Sequence, residues 1–273
     1  MNQPPIDSSA AHHVRRMTGR DTDEAHRVSS PLELLFDLTF AAGFSLAGAQ
    51  FAPLLAEGHF GAALSGFIYG MLAICWAWMG FSWFASAYDT DDWVFRIATM
   101  THMVGVMVLA LGLPRMFKSI DHGGTFDGAI MVLGYVIMRL ALAFLMLRAA
   151  NHDLPRRRML LAQAGIIATM QAGWVLLTLM GLSVAQTFAA SAVLGFGELA
   201  GPMLAYRLWG APPWHAHHIA ERFGLLAIIA LGEGVAGTIA SVSAIVQTQG
   251  WSVDAVMICA AGTGLTFGMW WIY

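Results

Sequence analysis

The chain has 273 residues, of which 58% are hydrophobic and 11% charged, with a formal net charge of −3 and a mean hydropathy of +0.63. A water-soluble chain of this length carries about 25% charged residues to cover its surface. The composition therefore excludes an ordinary soluble domain and points to a polytopic membrane protein whose outer surface meets lipid.

The first 28 residues are polar and rich in His, Arg and Asp. Arg15-Arg16 has the form of a twin-arginine export signal, but Arg20, Asp21, Asp23, Glu24 and Arg27 follow where an apolar region is needed. The arm over 1–28 is thus expected to be a disordered cytoplasmic tail. Beyond it, the charge-free intervals count the spans, since about 20 apolar residues cross a hydrocarbon core of about 30 Å. Eight fit, near residues 32–56, 61–86, 93–113, 128–149, 159–180, 184–206, 219–245 and 252–273. The predicted fold is all-α, a transmembrane helix bundle over 29–273. No charge separates the fifth span from the sixth between Arg158 and Glu198, so the turn is assigned to Gly181, Ser183 and Gln186. A single span there would be far too long for a bilayer. Cys75 and Cys259 lie in apolar runs without a spacing partner, which points to packing and away from a disulfide or a thiolate metal site.

Basic loops stay on the cytoplasmic side of a membrane. With the N-terminus inside, Arg15, Arg16, Arg20, Arg27, Arg96, Arg148, Arg156, Arg157, Arg158, Arg207 and Arg222 lie at the cytoplasmic face, against Arg115 and Lys118 outside. Arg139, the remaining base, lies within a span.

Four groups of polar residues stand out against this background. In Ser30-Pro31-Leu32-Glu33 the S-x-x-E spacing is that of a capping box, so Glu33 has a purely structural explanation. Asp37 lies a turn deeper on the same face, where an unpaired charge costs roughly 2.5 to 3.5 kcal/mol, and it needs a partner, a proton or water. Before the third span, Asp89, Asp91 and Asp92 read as caps with Arg96 one turn on, and His102 sits deeper. Matching depth makes Arg96 the expected partner of Asp37. In the fourth, sixth and seventh spans, Arg139, Glu198 and Glu233 fall near the membrane centre. One acid is expected to neutralise Arg139 and the other to be left over with a raised pKa, suited to carrying a proton. At the entrance to the seventh span, His215, His217, His218 and Glu221 have ligand chemistry but no metal-site spacing of known specificity, so an interfacial segment is the preferred reading and no cofactor is expected.

The stretches "SPLELLFDLTFA", "DTDDWVFR", "GLPRMF" and "ERFGLLAIIALGEGV" resemble the bacterial low temperature requirement A family of integral membrane proteins. The resemblance runs from about Ser29 onward. It implies a multi-pass protein of the bacterial inner membrane, in a family named for growth in the cold, and brings no biochemical activity with it. It also implies a chain continuing past Trp270, Trp271 and Tyr273, so a truncated C-terminus is expected. An offset of 188 residues lays Glu33 on Glu221, Gly80 on Gly268 and Trp83 on Trp271, a thin match. If real, it gives two parallel halves related by an axis along the membrane normal.

The functional expectation is a proton- or ion-coupled transporter of a small solute that uses Asp37, Arg96, His102, Arg139, Glu198 and Glu233. Glu33, Asp92 and Glu221 are secondary candidates. The alternative is a non-catalytic envelope, sensory or scaffold protein, as monomer or homo-oligomer. Neither a G-x-S-x-G elbow nor an H-E-x-x-H pair is present, so no enzyme is expected, and no nucleic-acid partner.

Overall fold

The computed structural model describes residues 14–21 and 27–273. Among these residues eight helices form: α1 Pro31–Ala56, α2 Phe60–Tyr88, α3 Trp93–His122, α4 Ala129–His152, α5 Arg157–Leu179, α6 Val184–Trp209, α7 Ala216–Gln249 and α8 Val253–Ile272. All eight are long and apolar enough to cross a membrane. Their starts follow local chemistry. Ser30 Oγ accepts the Glu33 N–H at 3.2 Å while Glu33 Oε2 accepts the Ser30 N–H at 2.8 Å, closing the capping box of α1. Asp92 accepts the Phe95 N–H at 2.9 Å and caps α3. Ser183 and Gln186 form a second capping box at α6. The turn before it uses Gly181, whose φ of 59° suits a residue without a Cβ. That turn is pinned to the α3–α4 loop by the Phe126 N–H to Leu182 O and Val184 N–H to Gly124 O bonds, at 3.0 and 3.2 Å. α5 and α6 are therefore separate helices.

α3 runs to His122 instead of ending near residue 113, passing through Pro114. Its 30 residues span about 45 Å, more than a hydrocarbon core of about 30 Å. Arg115 and Lys118 thus ride on a helix that protrudes, not on a loop.

Packing follows chain order with one return. α3 lies against α4, α4 against α5 and α5 against α6, while α1 packs on α2 and α3. α7 comes back to α1 and α2, and α8 packs on α7. The tightest seam is α3–α4, where Gly105 and Gly134 bring the two backbones together; a Cβ on Gly105 would stand 2.8 Å from Gly134 O. Phe36, Phe40, Phe81, Phe95, Leu109 and Leu142 fill the core between α1, α2, α3 and α4.

The N-terminal arm departs from the expected disorder where it is described. Met17 is wholly buried, the Arg20 N–H bonds Ala87 O at 3.0 Å, and the Arg15 N–H bonds Asp92 Oδ2 at 2.9 Å. The segment is held because it supplies donors to acceptors at the ends of α2 and α3. Residues 1–13 and 22–26 lie outside the described residues.

Candidate functional site

Among the described residues, two buried charge clusters, a buried Asp92–Arg148 pair and a large cavity organise the polar chemistry. The first cluster joins α1, α2 and α7. Arg222 donates to Asp37 through Nε at 3.0 Å and Nη2 at 2.6 Å, to Glu33 through Nη1 at 3.0 Å, and to Ser82 Oγ at 3.2 Å. The Trp78 indole donates to Asp37 Oδ1 at 2.6 Å, and His218 Nε2 lies 3.3 Å from Glu33 Oε2. Arg27, from the segment before α1, reaches Glu33 at 3.6 Å and donates to the Ser86 and Ala85 carbonyls that end α2. Two carboxylates thus face two guanidiniums, with His218 beside Glu33, so each buried acid has a counter-charge.

This arrangement corrects the expected Asp37–Arg96 pair. Arg96 turns outward and holds Asp91 in a bidentate bridge, 2.9 Å on each arm, with both side chains about half exposed. Depth along the membrane was matched, but the face was not. Arg222, expected at the cytoplasmic face, is fully buried between helices. Its signal in the sequence was its place four residues after His218, on the same face of α7.

Nearby, Asp92 takes a bidentate contact from Arg148 of α4 while still capping α3. Burial alone would push the Asp92 carboxyl up, but Arg148 and the Phe95 and Arg15 N–H groups outweigh it and hold the pKa below the usual value of 3.8. Asp89 is shifted the other way, raised by burial and then by the charge of Glu33.

The second cluster centres on Glu198, deep in α6 and 2% exposed. Its Oε1 accepts from Gln171 Nε2 and Trp174 Nε1, each at 3.0 Å, and its Oε2 accepts from Trp76 Nε1 at 2.7 Å and from the Tyr135 hydroxyl. Arg139 Nη2 stands 3.4 Å away. One carboxylate therefore gathers donors from α2, α4 and α5, and Glu198 is the deep acid that meets Arg139. The cradle was not foreseen: Trp76, Trp174, Tyr135 and Gln171 look like ordinary span residues until the helices are assembled. Gly80 of α2 makes room for the guanidinium, since a Cβ there would lie 2.8 Å from Arg139 Nη1.

This pair lines an open cavity of about 900 Å3 bounded by α2, α4, α5 and α6. It extends from Phe188, near the start of α6, to Tyr206 and Pro212 at the opposite end. Between α2 and α6 the wall is made by side chains: Tyr69 stacks on Phe188 with centroids 5.1 Å apart, and its hydroxyl lies 3.0 Å from Ser191 Oγ.

The remaining candidates stand apart. Glu233 is half-buried on α7, has no hydrogen-bond or ionic partner among the described residues and does not line the cavity. His102 is fully buried beside Phe36, Phe40 and Phe81, and neither ring nitrogen has a partner among the described residues. The three imidazoles near α7 diverge: His215 caps the helix by accepting the His218 N–H at 3.4 Å, His217 is exposed, and His218 turns to Glu33. Glu221 accepts the Ser29 N–H at 3.3 Å. The residues paired by the 188-residue offset, Glu33 and Glu221, thus sit in packed helices but hold different partners.

Comparison with known proteins agrees with the motifs. An uncharacterized protein of Rhizobium meliloti (strain 1021) is 28% identical over 277 residues, covering 97% of this chain. The chain spans 62% of that relative's length. No solved structure matches. The family profile described as bacterial low temperature requirement A protein matches residues 28–273, nearly the whole chain and all eight helices, and the chain belongs to that family.

Proposed function

We propose that the protein is a transporter of the bacterial inner membrane, oriented with its N-terminus in the cytoplasm, which binds its solute in the cavity between α2, α4, α5 and α6. The observation that carries this is the cavity itself: about 900 Å3, at the upper end of the roughly 300 to 1,000 Å3 typical of small-molecule sites, with a carboxylate and a guanidinium at its centre. Proton coupling is assigned to the deep acids, of which Glu198 ties α2, α4 and α5 together through five donors at once. Glu233 is the second acid available to a proton. No chemistry on the solute is proposed.

A scaffold role is favoured by one observation, the full pairing of both charge clusters, which is what a purely structural design also needs. Reconstitution separates the two. Gly195 lines the cavity and has open space where a Cβ would go, so Gly195→Phe adds a ring at the cavity wall without a backbone clash. Proteoliposomes loaded with a pH-sensitive dye, given a pH gradient and a small-molecule extract of bacterial cells, are expected to show extract-dependent proton movement. Gly195→Phe is expected to abolish it while the detergent melting temperature stays level or rises. Equal proton movement with and without extract in the unmodified protein puts the scaffold role in front.

A further inference from the structure

We infer that residues 14–21 form a removable strap that seals the cavity at its Tyr88–Pro212 end, so that release of the strap opens the cavity to the compartment holding the N-terminal arm. The inference rests on the transporter reading for the purpose of the seal, but access to the cavity is measured without transport.

These eight residues form neither helix nor strand, yet they tie together the ends of the elements around the cavity. The Arg20 N–H bonds Ala87 O at the end of α2, at 3.0 Å. The Arg15 N–H bonds Asp92 Oδ2 at the start of α3, at 2.9 Å, and the Arg15 guanidinium reaches Thr90 O at 3.3 Å. Arg148 of α4 donates to Arg15 O at 2.9 Å. Gly19 lies against the α6–α7 loop and the residue before α5: a Cβ there would stand 2.6 Å from Pro213 Cγ and 3.0 Å from Arg156 Nη1. Met17 is wholly buried and belongs to the same apolar core as Phe84, Tyr88 and Ala149.

Beneath the strap the cavity is shut. Phe84, Tyr88, Met159 and Leu160 line it at this end and are at most 5% exposed. The Tyr88 hydroxyl donates to Asp153 Oδ2 at 3.0 Å, and Arg156 Nη1 reaches the same oxygen at 3.1 Å, so the cavity wall and the groups under Gly19 form one bonded unit. Arg20 on Ala87 and Gly19 on Pro213 are adjacent residues that hold opposite sides of this end, α2 and the α6–α7 loop. Parting those two sides therefore means breaking the strap's contacts first. At the other end α2 meets α6 through the Tyr69–Phe188 ring contact and the Tyr69–Ser191 hydroxyl pair, which side-chain rotation alone can open. A non-helical segment held by a few backbone hydrogen bonds and one buried side chain opens locally far more readily than packed helices separate, which makes the strap the releasable element.

The test uses the full chain with Cys259→Ser, which leaves Cys75, half-buried in the cavity wall, as the remaining thiol. A membrane-impermeant maleimide is added to one face at a time of sealed vesicles, and trypsin cleavage after Arg16, beside the buried Met17, reports strap release. Met17→Asp puts a charge into a dry site, and Gly19→Val drives a methyl into the Pro213 ring; both changes lie on the strap and leave the helices unaltered. Each is expected to speed cleavage after Arg16 and alkylation of Cys75 from the arm's face roughly 10-fold or more, with the rate from the opposite face unchanged. Met17→Leu conserves volume and is expected to behave as the unmodified chain. Faster cleavage without faster alkylation overturns the seal, as does fast alkylation from the arm's face in the unmodified chain. Equal acceleration from both faces overturns it too, because it marks loosening of the whole bundle, and cleavage that neither variant alters overturns release. Strap-dependent access without extract-dependent proton movement sinks the transporter reading and leaves this inference standing. Proton movement that Gly195→Phe blocks, with Cys75 access indifferent to the strap, does the reverse.

Discussion

At the scale of single residues, the two deep acids differ in what their charge touches. Glu198→Gln strands the Arg139 guanidinium in a dry environment, a loss of about 3 to 5 kcal/mol, whereas Glu233→Gln removes a charge without a partner among the described residues and is expected to change stability by less than about 0.5 kcal/mol. Melting temperatures of the two variants in detergent check this, and equal losses would mean that Glu233 has a partner of its own. Outside the spans, the carboxyls of Asp92 and Asp89 carry opposite pH signatures. Asp92 has a lowered folded-state pKa, so its stabilisation is complete above about pH 4 and is lost as pH falls through the folded value. Asp89 has a raised one, so its contribution is favourable at acid pH and is lost as pH rises through its folded value. Melting at pH 3, 5 and 7 is therefore expected to show Asp92→Asn flattening the acid limb, and Asp89→Asn raising the melting temperature at pH 7. Acid limbs that are identical in Asp92→Asn and the unmodified chain would rule out this account.

Helices meet in two distinct ways, and each predicts its own mutational signature. Along α3–α4 the contact is backbone to backbone: a Cβ on Gly134 falls onto the backbone nitrogen of Leu109 and within 2.5 Å of Gly105 O, neither of which can swing aside. Gly134→Ala is expected to cost about 1 to 3 kcal/mol. Gly232 of α7 has open space, so Gly232→Ala is expected to gain about 0.5 to 1 kcal/mol from helix propensity alone. Thermal melts of the pair are the measurement, and a neutral Gly134→Ala would mean the seam is looser than this geometry. Between α1, α2 and α7 the contact is ionic instead. Arg222→Gln leaves Asp37 and Glu33 short of a buried counter-charge and is expected to lose about 3 to 5 kcal/mol, while Arg222→Gln with Asp37→Asn recovers part of it. A double variant no better than the worse single one would show that the lock does not act as a unit.

For the whole molecule, most of the basic residues collect at the end of the bundle that holds the start of α1, α3, α5 and α7, with Arg115 and Lys118 toward the other end. The proposed orientation places that end in the cytoplasm. Single cysteines at His59, Ser183 and Thr248 are expected to react with a membrane-impermeant maleimide from outside, and one at Arg157 is not; the reverse pattern inverts the orientation. The Arg222 cluster lies at the basic end and ties α7 to α1 and α2, while Glu198 lies nearer the middle of α6 in the wall of the cavity.

Eight helices and their starts were legible in the chain because both depend on local chemistry: apolar run length, the Ser30–Glu33 box, and a charge-free turn marked by Gly181, Ser183 and Gln186. Family membership was legible for the same reason, through contiguous motifs. Partnership was not. Asp37 and Arg96 have matching depths, and depth is a one-dimensional quantity readable from sequence position; which side of a helix faces a neighbour is set by how α7 folds back onto α1, 185 residues away in the chain for Asp37 and Arg222. The same limit hid the cradle around Glu198, whose donors come from three helices other than its own. Indole, phenol and amide groups are common enough in membrane spans to carry no signal singly. They acquire one only when tertiary packing aims them at the same carboxylate, because a buried charge selects for donors by proximity in space and not by spacing along the chain.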